Sequence, residues 1–190
     1  DIYINMAKTY ILSGHLPQAK ESLAAAQTLL QHDTAAVYSP GFYGIKGMYH
    51  LHAKEWELAE KSVDTGLALA RKSGNRPDVK QLLYQQALLF NQQNDFKSVL
   101  KILQQLYQGA YLTTDTDKKQ LLHDLAATEA NLGNMQGAYN WLLQYSAFSD
   151  SLNEQKMRVE KAGLESKYNL SKKEQQLPIV KNNAKRQSLI

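Results

Sequence analysis

The chain has 190 residues, a hydrophobic fraction of 43%, no cysteine and a formal net charge of +4. This apolar content suffices for a buried core and excludes a disordered chain, and the lack of cysteine excludes disulfides and thiolate metal sites. The sequence contains no run of the roughly 18 to 20 apolar residues that a membrane helix needs, and its first residues lack the pattern of a secretion signal.

The charge is unevenly distributed along the chain. Residues 156–190 carry nine Lys or Arg residues against three Glu residues, so this segment is basic and the remainder is mildly acidic. The division favours two physical units and counts against a globally basic nucleic-acid binder.

An internal repeat organises the first 147 residues. Four segments each contain a short polar turn, followed by a small or β-branched residue that recurs at intervals of 40, 40 and 39 positions. These residues are Ala19, Ala59, Val99 and Ala138. A small residue also precedes each turn, at Ala7, Gly47, Ala87 and Ala126.

Apolar residues flank these small residues at spacings of three and four, which place them on one face of a helix. Examples downstream of each turn are Leu23, Val63, Leu103 and Leu142. Each unit is therefore predicted to be two amphipathic helices joined by a tight turn. The predicted units are residues 1–34, 40–74, 77–112 and 115–147, and further units are expected before Asp1.

Polar residues separate the predicted units. Ser39 precedes Pro40, Asn75 comes shortly before a proline and an aspartate, and a run of Thr and Asp residues from Thr113 precedes the fourth unit. Such residues accept hydrogen bonds from the exposed amides of a first helical turn. They predict the starts of three helices.

The repeat pattern resembles the tetratricopeptide repeat: a large residue, a small one, a turn with Gly or Asn, an aromatic residue and an Ala. The resemblance covers roughly residues 1–147. It implies an all-α fold, a right-handed solenoid of about four helical hairpins followed by a long C-terminal helix. The chain departs from the family in period, which is about 34 residues there, and at the usual inter-helix Tyr, kept as Tyr10 and replaced by His50, Phe90 and Glu129.

A polar helix is predicted after the fourth unit, over residues 148–177, with a capping box that begins at Ser151. Its apolar residues do not keep a strict heptad, so pairing into a homodimer through this helix is one open alternative. Pro178 is expected to break or kink the helix, which leaves residues 178–190 as a basic tail that is flexible or close to a membrane.

The C-terminal region carries a second resemblance. Residues 150–152, 164–168, 172–174 and 185–190, which follow a tetratricopeptide array, are similar to bacterial membrane-anchored signalling proteins. That resemblance implies a sensor array, a transmembrane segment after this helix, and a histidine kinase or helix-turn-helix regulator beyond it. The implied localisation is the periplasmic side of a bacterial inner membrane, with the membrane next to the C-terminus. The alternative is a soluble cytoplasmic adaptor that mediates protein–protein interactions.

The sequence predicts no catalytic, metal or cofactor motif. His52 and Glu55 have a helical spacing that two metal ligands could use, but two ligands do not make a site. Gly41, Gly44 and Gly47 lack the strand and the Gly-Lys-Ser/Thr ending of a phosphate loop, so they are interpreted as helix-packing positions. We therefore expect no enzymatic activity, no metal and no cofactor in this region.

The expected ligand is a protein or a peptide, and no nucleic acid. The tetratricopeptide resemblance implies that ligands bind along the concave face formed by the first helix of each unit. A peptide held through backbone hydrogen bonds in an amide-lined groove is one such ligand. The residues placed on that face are Lys8, Leu12, Met48, His52, Tyr84, Leu88, Asn91, Gln92, His123 and Asn131.

Overall fold

A computed structural model describes residues 2–32, 39–109 and 111–187, without the side chains of residues 30–32 and 174–187. Within these ranges the chain forms eight helices and no strand, which confirms the predicted all-α class. Residues 33 and 34 of the first predicted unit and residues 188–190 of the predicted tail lie outside the described residues.

The helices follow the predicted alternation of first and second helices, with a turn of three residues inside each pair. Their bounds are α1 Ile2–Leu12, α2 Leu16–His32, α3 Pro40–His52, α4 Trp56–Ser73, α5 Arg76–Gln92, α6 Phe96–Gln108, α7 Asp115–Asn131 and α8 Met135–Gln187.

The four turns inside the pairs have the same backbone geometry. Each contains one residue with positive φ, at Gly14, Lys54, Asn94 and Gly133, spaced 40, 40 and 39 residues apart. The next amide in each turn donates to a carbonyl five residues earlier, as Glu55 N donates to His50 O at 2.9 Å. This repeated hydrogen bond ends one helix while the left-handed residue redirects the chain into the next.

The small residues after the turns occupy matching places. The backbone amides of Ala19, Ala59, Val99 and Ala138 each donate to the carbonyl four residues earlier, in the first turn of the second helix. The side chains of the first three are buried. The predicted repeat is therefore a repeat of structure as well as of sequence.

The apolar residues predicted to pack in each unit are buried in three units and exposed in the fourth. Leu23, Val63 and Leu103 are in the core, whereas Leu142 is half exposed. In a chain of stacked pairs each apolar face is covered by its neighbour. Leu142 is on α8, the second helix of the fourth pair, where no next helical pair of the described residues covers its face.

Helix starts are capped largely as predicted. The Thr114 hydroxyl accepts a hydrogen bond from Asp117 N at 3.1 Å, and the Asn75 side chain accepts one from Asp78 N at 3.2 Å. Ser39 precedes α3 as expected, but its side chain makes no capping hydrogen bond.

The chain divides into two compact units, Asp1–Leu143 and Gln144–Ile190. In the first, each helix from α1 to α6 packs against the next one in the chain, and α1 with α3 and α3 with α5 also approach one another. Two apolar clusters fill this unit. One joins α1 and α2 to the start of α3, and the larger one runs from α4 to α7.

The second unit is helical as far as Gln187, since α8 continues from Met135 through it. A new helix start at Ser151 and a break or a kink at Pro178 were expected. Because α8 runs through both positions, the predicted start and a break are wrong for the described backbone. Residues 138–162 contain no Gly or Pro, so nothing ends the helix before Ser151. A proline removes one helical hydrogen bond, and the residues on both sides of Pro178 are mostly good helix formers.

The predicted placement beside a bacterial inner membrane is corrected by the structure. Among the helices of residues 2–32, 39–109 and 111–187, none is both long enough and apolar enough to cross a bilayer. A spanning helix needs about 20 consecutive apolar residues. The membrane-anchored placement is therefore not retained.

Candidate functional site

A groove of about 300 Å³ opens between α5 and α7, with α6 as its floor. Its walls come from the exposed edges of the two first helices, and its floor comes from two core residues of the second helix between them. The lining residues are Tyr84, Ala87, Leu88, Asn91, Val99, Leu103, Asp124, Ala127, Thr128 and Asn131.

The groove lies where two neighbouring first helices stand apart. The Cα atoms of α3 and α5 approach within 8 Å, but those of α5 (Arg76–Gln92) and α7 (Asp115–Asn131) do not. Gly44 faces α5, since a Cβ built on it would lie 3.5 Å from Leu82 Cδ2. The position 40 residues later is Tyr84, whose side chain lines the groove between α5 and α7. The equivalent positions of α3 and α5 thus carry a glycine beside a close helix pair and a tyrosine beside the groove.

The groove has a negative electrostatic character. Asp124 lines it, and the Oδ1 atom of Asp124 accepts a hydrogen bond from Gln120 Nε2 at 2.8 Å. The Nδ1 atom of His123 lies 3.7 Å from the same oxygen, a long ion pair that needs a protonated imidazole. The carboxylate is therefore only weakly neutralised by its own surroundings.

The Tyr84 hydroxyl is buried and has no hydrogen-bond partner. Burial, followed by the negative charges of Asp124 and Asp117, raises the pKa of Tyr84 to about 12. A buried hydroxyl without a partner loses its hydrogen bonds to water without replacing them. Tyr84 is thus a hydrogen-bonding group whose capacity is unused within the chain.

An ion pair joins the two helices that form the groove. Lys80 Nζ of α5 lies 2.7 Å from Asp117 Oδ2 of α7, and both side chains are partly exposed. The hydrogen bond from Lys80 is the main reason why the pKa of Asp117 is lowered, and the Thr114 hydroxyl adds to the effect. This pair links the two helices whose separation forms the groove.

Four of the ten residues predicted on the concave face line the groove: Tyr84, Leu88, Asn91 and Asn131. Gln92 and His123 are on the same helices but do not line it. Lys8, Leu12 and His52 are exposed on α1 and α3, and Met48 packs against the first apolar cluster. The structure therefore does not bring these six residues into the groove.

The predictions from the sequence did not include Asp124, the only charged residue of the groove lining. A sequence signal for it exists, because Asp124, Ala127 and Thr128 precede Asn131 by seven, four and three positions and so share its helix face. Val99 and Leu103 were predicted as packing residues and also form the groove floor. No sequence signal marks them as ligand-facing.

Metal ligands are not clustered in the described part of the chain, where no group of three His, Asp or Glu side chains could hold an ion. His52 and Glu55, the pair with ligand spacing, do not pair with one another. Glu55 Oε2 lies 2.6 Å from His50 Nδ1 instead. This contact links the end of α3 to the turn that precedes α4.

Exposed apolar side chains occur along α8 in each unit. In the first unit, Met135, Tyr139, Leu142 and Leu143 share one helix face. In the second, Met157, Val159, Leu164, Tyr168 and Leu170 are exposed among ion pairs such as Glu154 with Arg158 at 3.6 Å. Self-association through α8 stays a prediction.

The comparisons with known proteins give similarity to solved structures, without a match to a protein family or to a curated protein. No protein-family model matches the chain, and no curated protein matches it. Among solved structures the chain is similar to BtubC (BKLC) from P. vanneervenii, with a TM-score of 0.70 and 18% sequence identity, over 80% of this chain and 63% of that one. The similarity shows the fold alone. The chain spans less than two thirds of the length of this neighbour.

Proposed function

We propose that this chain is a tetratricopeptide-like scaffold that binds an extended peptide segment of a partner protein in the groove between α5 and α7. In this proposal the four hairpins form a right-handed solenoid, and the first helices face the ligand. The observation that carries the proposal is the position of Tyr84, Leu88, Asn91 and Asn131 along one groove.

The chemistry of the groove suits a peptide backbone. Asn91 and Asn131 come from opposite walls, and each side-chain amide offers two donors and one acceptor oxygen. An extended backbone presents alternating N–H and C=O groups that such amides can pair with. Leu88 and Ala127 supply apolar contacts for side chains at neighbouring positions of the peptide.

The test is an array of random peptides probed with the purified chain and with two single variants. Asn91→Ala is expected to lower binding about tenfold, because a lost hydrogen bond leaves its partner unpaired in the groove. Gln92→Ala is the matched control, since it removes an exposed amide one residue away that does not line the groove. Equal binding by all three proteins, or no binding by any, would count against the proposal.

A role as the signal-input region of a signalling protein stays a prediction. Binding can drive a signal only if the ligand favours one of two shapes of the array. Hydrogen exchange along α8, with and without a peptide selected on the array, tests this role. Changed exchange in α8 would support it, and unchanged exchange would favour the adaptor alternative.

A further inference from the structure

The lining of the groove combines apolar walls with one carboxylate. Leu88 is an exposed apolar residue of the wall, the buried Val99 and Leu103 form the floor, and Asp124 is the one charged residue of the lining. Lysine and arginine side chains have the complementary composition, since an aliphatic stem ends in a positive group. The groove therefore offers both a surface for the stem and a partner for the charge.

The hydrogen-bonding groups in the groove also favour a cation. Gln120 Nε2 donates a hydrogen bond to Asp124 Oδ1 at 2.8 Å, and His123 Nδ1 lies 3.7 Å from the same atom. An ammonium or guanidinium group donates hydrogen bonds and accepts none, so it can pair with the Asp124 carboxylate.

The electrostatics disfavour other side chains. Asp124 is the one charged residue of the lining, so an acidic side chain or a peptide C-terminus would meet a like charge in the groove. An apolar side chain would cover Asp124 without offering it a hydrogen bond, which is unfavourable for a charged group.

We infer that the groove between α5 and α7 selects a peptide with a lysine or arginine side chain, which lies on Leu88, Val99 and Leu103 and pairs with Asp124. This inference rests on the proposed function. Asp124 is then the residue that determines specificity, while the amides of Asn91 and Asn131 hold the backbone of any sequence.

The experiment uses two matched sets of random peptides on one array, with arginine or its uncharged isostere citrulline at a central position. The full chain is probed beside Asp124→Asn and Asp64→Asn. Asp64 is on α4 outside the groove, and its Oδ1 atom accepts a hydrogen bond from Gln86. The amide oxygen of an asparagine would still accept that hydrogen bond. Asp64→Asn therefore controls for the loss of one negative charge.

The unsubstituted chain and Asp64→Asn are expected to bind the arginine set at least about tenfold more tightly than the citrulline set. Asp124→Asn is expected to lose that preference, so that the ratio of its affinities for the two sets falls to about one. Thermal unfolding of the three proteins checks that each is folded.

Three outcomes would overturn the inference, and they separate it from the proposed function. If peptides bind and Asn91→Ala weakens them, but arginine gives no advantage, the groove binds peptides and the inference fails alone. An arginine preference that survives in Asp124→Asn also overturns the inference alone. If neither set binds, the proposed function fails and the inference fails with it.

Discussion

Lys80 Nζ lies 2.7 Å from Asp117 Oδ2, so one ion pair joins α5 to α7 at the groove. The two residues are 37 positions apart in the sequence. Their helices are otherwise separated more widely than the neighbouring first helices are. The pair is thus a side-chain link between the two helices that form the groove.

Removing this link should make the chain less stable, by an amount that depends on pH. We expect Asp117→Asn to lower the free energy of unfolding by up to about 1 kcal/mol near pH 7, because a partly exposed ion pair contributes little more than that. The pKa of Asp117 is lowered in the folded chain. Its contribution is therefore present above about pH 4 and is lost as the pH falls through the folded pKa.

The measurement is urea unfolding of the unsubstituted chain and of Asp117→Asn at about pH 7 and about pH 3. The difference between the two proteins should shrink at the lower pH. Asp115→Asn, in the same first helical turn, is the control for charge near the start of α7. A difference that stays constant between the two pH values would contradict the assigned role of Asp117.

Two glycines of α3 should respond oppositely to alanine. A Cβ on Gly47 would lie 2.8 Å from Val63 Cγ2, whereas a Cβ on Gly44 would have its nearest neighbour at 3.5 Å. Gly44→Ala should raise the free energy of unfolding by about 0.5 to 1 kcal/mol, because alanine favours the helix. Gly47→Ala should lower it by about 1 to 2 kcal/mol, because Val63 is stiff and overpacking outweighs the helix preference.

Thermal unfolding of the two alanine variants measures this contrast. A shift of about 2 to 4 °C is expected for each kcal/mol in a chain of this size. If both variants were stabilised equally, α3 and α4 would be able to move apart at no cost. The close approach at Gly47 would then not be a constraint on this helix pair.

The turn residues with positive φ predict a stabilising substitution. Lys54 has φ of 60° and Asn94 has φ of 58°, in turns whose counterparts in the first and fourth units are Gly14 and Gly133. A residue with a Cβ costs about 1 to 2 kcal/mol in this conformation. Lys54→Gly should raise the free energy of unfolding by about 0.5 to 1 kcal/mol after the extra entropy of the unfolded chain is subtracted.

Asn94→Gly should give a smaller gain, because asparagine tolerates the left-handed region better than lysine does. Gly133→Ala is the reciprocal control and should destabilise the chain by about 1 kcal/mol. Denaturant unfolding of the three variants ranks them. A Lys54→Gly variant that is no more stable than the unsubstituted chain would mean that the Lys54 side chain makes a compensating contact.

The helices and turns of the first unit could be predicted because they depend on local sequence. Residues at spacings of three and four determine which face of a helix is apolar, and Gly14, Asn94 and Gly133 favour the left-handed turn. The predictions failed along α8. There the capping pattern at Ser151 was outweighed by a long segment without Gly or Pro, and propensity continued the helix.

The candidate groove could be predicted only in part. Tyr84, Leu88, Asn91 and Asn131 recur at regular helical positions, so their helix face was accessible from the sequence. Val99 and Leu103 belong to α6 and reach the groove only because α5 and α7 stand apart above it. A repeat position that is buried in the core of one unit can line a groove in the next unit. The spacing of residues along the chain does not distinguish the two cases.

The sequence by itself determined that this chain forms four helical pairs with matching turns, because periodicity and turn chemistry act between residues close in the chain. The tertiary structure alone decided where the pairs separate. Gly44 lies beside α5, and its equivalent Tyr84 lines the groove between α5 and α7. Only packing in three dimensions brings residues of different helices opposite one another, and so leaves Asp124 lining the space between α5 and α7.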